Sequence, residues 1–103
     1  MKVSTKLSRN NTLVIIFDGE LDQSVAEKIR KELDEYLDKV SPSCVIFDMQ
    51  KLSFMDSTGI GLIMGRYKKI KAKNIPVYIG NPNKQIDKVL LISGLYSIIP
   101  PLR

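Results

Sequence analysis

The chain has 103 residues, of which 44% are hydrophobic and 26% charged, a composition typical of one soluble globular domain of ordinary size. It contains no histidine and a single cysteine, Cys44. These counts exclude histidine-dependent nucleophilic catalysis, a histidine general base, an internal disulfide and the usual zinc sites, so we expect no metal and no cofactor.

The chain also lacks the sequence marks of export or membrane insertion. No apolar run approaches the roughly 18 residues that a membrane span needs. The first residues carry no apolar block of the kind that a signal peptide requires. We therefore expect a cytoplasmic protein that does not contact the membrane.

Positive charge is concentrated in the second half of the chain. Residues 1–56 hold eight basic and ten acidic side chains, whereas residues 57–103 hold eight basic and one acidic, for an overall net charge of +5. Such asymmetry is typical of some nucleic-acid-binding proteins. However, the chain has only four arginines, and no aromatic residue alternates with the lysines of residues 68–73, where cations favour the end of a helix. A solvated basic face is the simpler interpretation, and we expect no direct contact with nucleic acid.

The first part of the chain predicts a β-hairpin followed by a helix. Polar and apolar residues alternate from Lys2 to Leu7, and Leu13 to Phe17 is almost entirely apolar, with a turn sequence between them. Asp18 to Asp22 is predicted to be a loop. Asp22 or Ser24 could cap the helix, and Ser24 with Glu27 has the spacing of a capping box, which would leave Asp22 free for another role. The helix that follows has one apolar stripe, formed by Ala26, Ile29, Leu33, Leu37 and Val40.

The middle of the chain predicts a buried strand and a second helix. Cys44 to Met49 is apolar at nearly every position, which is typical of a strand covered on both faces. A polar turn then leads to a helix that begins near Ser57. The apolar residues of this helix share one face and are Ile60, Ile63, Met64, Tyr67 and Ile70.

The last third predicts a strand, a helix and a final strand. Pro76 to Ile79 is a short apolar run, and Asn81 precedes a helix that Gly94 ends. Tyr96 to Ile99 supplies the last predicted strand. The complete order ββαβαβαβ predicts an α/β fold, a mixed β-sheet with helices packed on it, in a single domain over residues 1–103.

The start of the second helix is more polar than a helix requires. One Ser, Thr, Asp or Asn suffices as a cap, yet Asp56, Ser57 and Thr58 stand in a row, followed by Gly59 and Gly61. Four interpretations compete for this turn: a nucleotide site, a nucleophile elbow, a plain helix cap and a modifiable hydroxyl.

The sequence separates these four interpretations only in part. The spacing of glycines from Gly59 is one residue longer than the dinucleotide fingerprint, and no P-loop lysine follows. A nucleophile elbow is excluded, because it needs a glycine in place of Met55 and a histidine partner, and the chain has no histidine. A plain cap remains open, as does phosphorylation of Ser57, whose phosphate would meet the N–H groups at a helix start. A small nucleotide-binding regulatory domain stands as the alternative function.

Several segments together resemble a known family. Leu52 to Gly61, followed by Gly65 to Lys68, is strongly similar to the bacterial anti-sigma factor antagonists of the STAS domain family. Gly19 to Asp22 and Ser93 to Leu95 also match the family pattern, and the similarity extends from Leu13 to Ile99. The greatest similarity is to the sporulation group, the anti-sigma F factor antagonists.

The resemblance implies a regulatory binding domain that is not an enzyme. In this family the unphosphorylated antagonist binds an anti-sigma factor, itself an ATP-dependent serine kinase, and so releases the sigma factor. Phosphorylation ends the binding, and a serine phosphatase restores it. The matching positions imply that Ser57 is the phosphorylated serine and that the partner-binding residues are Asp22, Asp56, Ser57, Thr58, Gly59 and Ile60.

The resemblance also implies one feature that this sequence does not show. Family members usually have a further helix after the final strand, whereas here the sequence ends at Pro100-Pro101-Leu102-Arg103. We therefore expect a STAS domain that lacks this helix, either because the protein has none or because the sequence is shortened. We expect the protein to be a monomer.

Overall fold

A computed structural model describes residues Met1 to Leu102, in which helices pack on a mixed β-sheet. The elements within this range are β1 (Lys2–Leu7), β2 (Thr12–Leu21), α1 (Gln23–Leu37), β3 (Cys44–Met55), α2 (Ser57–Lys71), β4 (Val77–Gly80) and α3 (Lys84–Ile92). The strands are ordered β1-β2-β3-β4, with β1 antiparallel to β2 and the two other pairs parallel. The predicted α/β class and mixed sheet are confirmed. None of the helices in the described range is long and apolar enough to cross a membrane.

The core lies on one face of the sheet. The buried residues of β2 and β3 form a single cluster with buried residues of α1, α2 and α3. Phe17 and Phe47 meet edge to face in this cluster, with ring centroids 6.0 Å apart. Ile46 and Asp48, whose side chains point to the opposite face, are only half-buried. The prediction that this strand is covered on both faces is therefore wrong, because the three helices share one core.

Strands β2 and β3 are longer than the sequence pattern predicts. Their pairing shifts register after Ile16 and again after Gly19, and at each shift β3 advances one residue further than β2. Such bulges break the regular alternation of buried and exposed side chains, which hides a strand from pattern analysis. The predicted loop from Asp18 to Asp22 is therefore mostly strand, and β2 continues to Leu21, opposite Met55.

Helix α3 begins two residues later than predicted. Its cap is Asn83, whose Oδ1 accepts a hydrogen bond from the backbone N–H of Ile86 at 2.8 Å. Asn81, the predicted cap, has a φ of 56° and turns the chain instead. Asparagine is one of the few residues that adopt this left-handed conformation without a large cost.

The predicted last strand at Tyr96–Ile99 is not formed in the described chain. Leu95–Ser97 is a short 3₁₀ helix, preceded by Gly94 in the left-handed conformation with a φ of 80°. Strand pairing beyond it is limited to a single parallel bridge between Ile79 and Pro101. Because proline has no backbone N–H to donate, a regular ladder is not favoured here.

Candidate functional site

The predicted site residues lie at the edge of the sheet where β2 and β3 end. These strands are parallel, and their last paired residues are Leu21 and Met55. Asp22 and Asp56 follow directly and begin α1 and α2. The fold therefore places two helix starts, each headed by a carboxylate, at the same edge of the sheet. Open α/β sheets commonly bind ligands at this edge.

Asp56, rather than Ser57, caps helix α2. Its backbone is extended, with a φ of −106° and a ψ of −170°, and its carboxylate accepts a hydrogen bond from the N–H of Gly59 at 3.1 Å. Its carbonyl oxygen accepts from the N–H of Ile60 at 3.0 Å. Ser57 is the first helical residue, and its side chain is exposed. Because the cap does not use the Ser57 hydroxyl, this hydroxyl is accessible to another molecule.

Asp22 has the corresponding role at the start of α1. Its carboxylate accepts hydrogen bonds from the hydroxyl of Ser24 at 2.6 Å and from the backbone N–H of Ser24 at 2.9 Å. Both hydrogen bonds lower the pKa of the Asp22 carboxyl below its ordinary value, and the bond from the Ser24 hydroxyl has the larger effect. The predicted capping box of Ser24 and Glu27 is therefore wrong, because the helix already begins at Gln23. Glu27 instead pairs with Arg30.

Gly59 brings the two helix starts together. It is buried, and a Cβ atom at this position would lie 2.6 Å from Cγ of Met55 and 2.8 Å from the carbonyl oxygen of Leu21. Only glycine lets α2 approach the end of β2 this closely. The nucleotide-binding alternative, which used Gly59 and Gly61 as a phosphate loop, gains no support, because core and backbone atoms fill the space beside Gly59.

The remaining predicted residues face two different sides of α2. Thr58 is half-buried and lines a cleft between α1 and α2. Ile60 is also half-buried but lines a groove between α2 and α3, together with Asp56 and Ser57. The structure thus brings Asp56, Ser57 and Ile60 to one surface, places Thr58 around the helix and buries Gly59 beneath them.

An ion-pair cluster closes the side of α2 that faces α1. Arg66, only 9% exposed, places its Nε 2.9 Å from one carboxylate oxygen of Asp34, and Arg30 lies 3.3 Å from the other oxygen. Arg30 also pairs with Glu27. Burial lowers the pKa of the Arg66 guanidinium, and the negative charge of Asp34 opposes this shift. The cluster therefore fixes α1 against α2.

Sequence reasoning missed the role of Arg66, although a signal was present. Arg66 lies between Ile63 and Ile70 at the spacing of one helix face, and both isoleucines are buried. An arginine on a buried face needs a negatively charged partner, because an unpaired buried charge is very costly. Asp34 is that partner, but only the packing of α1 against α2 identifies it.

Nearly the whole chain is similar to proteins of one known family. The family model described as the STAS domain matches residues 4–103. The chain is 33% identical to the anti-sigma F factor antagonist of Paenibacillus polymyxa over 88 residues, which cover 85% of this chain and 75% of that protein. These matches confirm the resemblance inferred from the sequence.

Solved structures agree with this result. The anti-sigma factor antagonist SpoIIAA in its unphosphorylated form matches with a TM-score of 0.81 and 29% identity, covering 99% of this chain and 89% of that one. The Bacillus cell fate determinant SpoIIAA in its phosphorylated form matches with a TM-score of 0.72 and 29% identity, covering 99% and 92%. The sheet with its three described helices is thus the fold of a protein solved in both phosphorylation states.

Proposed function

The chain belongs to the STAS domain family, and from this premise we propose that it is an anti-sigma factor antagonist controlled by phosphorylation of Ser57. In the unphosphorylated form it binds an anti-sigma factor that is a serine kinase, and this binding releases the sigma factor. Phosphorylation of Ser57 by the same kinase ends the binding. The observation that carries the proposal is an exposed serine at the first position of a helix that another residue already caps.

The position of Ser57 suits a residue that is modified without disturbing the fold. A phosphate adds a charge of about −1.5 to −2 and accepts hydrogen bonds strongly. At a helix start it lies near backbone N–H groups and the positive end of the helix dipole. Asp56 keeps its bond to the Gly59 N–H, so the cap is independent of the modification. Phosphorylation is therefore expected to change the surface charge and leave the helix in place.

The same phosphate is expected to prevent association. A dianion inside a close interface loses its hydration, and this loss is costly unless the partner supplies matching positive charge. A penalty of about 4 kcal/mol would weaken binding roughly a thousandfold. Asp22, Asp56, Thr58 and Ile60 contribute to the contact surface around Ser57, while Gly59 sets the distance between the two helix starts.

The proposal also defines the partners of this protein. ATP is the substrate of the partner kinase, and a serine phosphatase returns the antagonist to its binding form. The antagonist itself is not an enzyme, needs no cofactor or metal and acts as a monomer. It works in the cytoplasm without direct contact with nucleic acid or the membrane.

A phosphorylation assay tests the assignment of Ser57. The full chain is incubated with ATP and the purified anti-sigma factor of the same organism, and the product is mapped by mass spectrometry. We expect a single phosphate on Ser57, no product with Ser57→Ala and normal phosphorylation of Ser53→Ala, which removes a nearby exposed serine. Phosphate on a different residue would contradict the site, and no phosphate at all would contradict the proposed switch.

A further inference from the structure

The cleft between α1 and α2 is a second concave surface, on a different side of α2 from the groove that Ser57 lines. It has a volume of about 270 Å³. The charged and polar residues that line it are Glu27, Arg30, Thr58 and Arg66. The rest of the wall, which includes Ala26 and Leu62, is small or apolar. The cleft therefore offers charged groups and apolar surface side by side.

Arg66 has hydrogen-bonding capacity that its ion pair leaves unused. A guanidinium group carries five N–H donors, one on Nε and two on each terminal nitrogen. The contact of Arg66 with Asp34 is made through Nε at 2.9 Å, and Arg30 lies 3.3 Å from the other oxygen of the same carboxylate. Within Met1 to Leu102, no residue accepts a hydrogen bond from Nη1 or Nη2 of Arg66. A nearly buried guanidinium thus keeps four donors without an acceptor from the chain.

These terminal nitrogens favour a planar anion as their acceptor. An unpaired buried donor is costly, so an acceptor from outside the chain is favoured. Water can supply single hydrogen bonds in the open cleft. A carboxylate or a phosphate instead accepts two parallel hydrogen bonds from the fork of a guanidinium group, and such charge-assisted bonds are stronger than neutral ones.

The charges around Arg66 favour one negative charge over two. The ion-pair cluster contains two guanidinium groups and two carboxylates, so its net charge is zero. A dianion would bring its second charge close to Glu27, which also lines the cleft, and like charges repel at short range. A single carboxylate takes the donors of Arg66 with less repulsion than a phosphate.

We propose that the cleft between α1 and α2 binds a short organic acid through a single carboxylate. Thr58, Leu62 and Arg66 are four residues apart, so they share one face of α2 and span about 12 Å of it. The side chain of Arg66 occupies part of this length, which leaves room for a short acid. Its carboxylate accepts hydrogen bonds from Nη1 and Nη2 of Arg66. Its hydrocarbon chain lies against Leu62 and Ala26, where burial of apolar surface favours binding.

The bound acid would act on the contact between the two helices. It touches both α1 and α2, so its binding stabilises the folded form in which these helices are packed together. Ser57 lines the other groove, and its hydroxyl stays accessible when the acid is bound. The site does not depend on the proposed function, because it needs neither the kinase nor the phosphate.

An NMR titration of the full chain with sodium butyrate tests the site. Ionic strength is kept constant with sodium chloride, and the Nε–H resonance of Arg66 and the amide resonance of Leu62 are followed. We expect both resonances to shift saturably with butyrate. The uncharged 1-butanol, which has the same number of carbons, should give no saturable shift, and inorganic phosphate should bind about tenfold more weakly. Absence of saturation with butyrate overturns the site, and equal or tighter binding of phosphate overturns its assignment to a carboxylate.

Two double variants identify the residues that bind. Asp34→Leu with Arg66→Met removes the buried ion pair, and apolar replacement of such a pair preserves the fold in other proteins. We expect this variant to bind butyrate at least about tenfold more weakly than the wild type. Asp38→Leu with Lys69→Met removes another ion pair between the same two helices but outside the cleft lining, and should bind within about twofold of the wild type.

The variants also show which result contradicts the site. An equal loss of butyrate binding in both double variants, or wild-type binding by the variant without Arg66, overturns the role of this guanidinium. Urea unfolding checks that each variant is folded. The wild-type titrations with butyrate, 1-butanol and phosphate decide the proposal even if a variant fails to fold.

Discussion

The two flanks of helix α2 are built in opposite ways. Towards α1, charges of opposite sign close the seam: Arg66 meets Asp34, and Lys69 meets Asp38, each at 2.9 Å. Towards α3, the helix borders an open groove in which Ile92 remains mostly exposed. Charges paired within the chain hold the helix in place, whereas exposed apolar groups gain most from contact with another molecule. We therefore expect the flank towards α1 to stabilise the fold and the flank towards α3, the recognition flank, to contact the partner of the proposed function.

The largest effect is expected on the recognition flank. Ser57→Asp places a negative charge at the rim of the groove, and we expect it to weaken binding to the anti-sigma factor by about a hundredfold or more, somewhat less than the dianionic phosphate. Ser57→Asn has almost the same size without the charge and is expected to lose much less affinity. Both variants should keep the urea unfolding free energy of the wild type, because Ser57 is exposed. Equal affinities for the Asp and Asn variants would contradict the role of charge.

Substitutions on the flank of α2 that faces α1 are expected to lower the stability of the fold. Asp34→Ala leaves the buried guanidinium of Arg66 without its anion, and we expect a loss of about 3 kcal/mol in the free energy of unfolding. Asp38→Ala removes the exposed carboxylate that pairs with Lys69 of α2 and should cost much less stability than Asp34→Ala. Urea denaturation measures both. Similar losses in the two variants would contradict the expectation that the buried pair stabilises the fold more than the exposed pair does.

A double substitution sharpens the same test. Asp34→Leu combined with Arg66→Met replaces the buried pair with apolar side chains, and we expect it to recover most of the stability that Asp34→Ala loses. If the double variant is as unstable as the single one, packing rather than an unpaired charge explains the loss.

Alanine substitutions at two glycines of α2 distinguish the effect of close packing on stability from the effect of helix propensity. Gly59→Ala forces a methyl group against Met55 and the Leu21 carbonyl, and we expect a loss of about 2 kcal/mol in unfolding free energy. A methyl group at Gly61→Ala has no neighbour within 4 Å apart from the adjacent residues and backbone of its own helix, and the variant should gain up to about 1 kcal/mol from better helix propensity. Thermal or urea unfolding checks both signs. A stabilising Gly59→Ala would contradict the close approach of α2 to the end of β2.

The smallest effect is expected from titration at the start of α1. The folded-state pKa of Asp22 lies below its ordinary value of 3.8, so the stabilising contribution of the carboxylate is present above that value and is lost as the pH falls through the folded-state pKa. Asp22→Asn retains a capping oxygen that does not titrate. We expect the variant to lose less thermal stability than the wild type between about pH 6 and about pH 3. If both proteins lose the same thermal stability as the pH falls, other carboxyl groups cause the loss.

Local chemistry was sufficient to predict the turn that carries the site. A cap residue and the apolar period of α2 place the helix start at Ser57, where the structure has it. Local chemistry left phosphorylation of this serine open beside a plain helix cap, and the family resemblance favoured phosphorylation. Asp22 rather than Ser24 caps α1. The capping-box prediction was wrong because β2 extends beyond its apolar pattern to Leu21, so that Asp22 lies directly before the helix.

Other features depend on pairs of elements and could not be predicted from one segment at a time. The register shifts of β2 against β3 belong to two strands together. The ion pair of Arg66 with Asp34 needs α1 and α2 in contact, and the groove beside Ser57 needs α3 fixed to β3 through Asn83. Each involves residues that are distant in the sequence, so their partners become known only from the packed structure.

The order of strands in the sheet has a consequence for synthesis of the protein. The strands lie side by side in the order in which the chain presents them, so each new strand adds to an existing edge and none is inserted between two others. Because domains are made from the N-terminus at about 5–20 residues per second, the sheet can grow in the direction of translation. Ser57 emerges well before α3, which completes the groove. A nascent chain thus presents the serine before the groove beside it is complete.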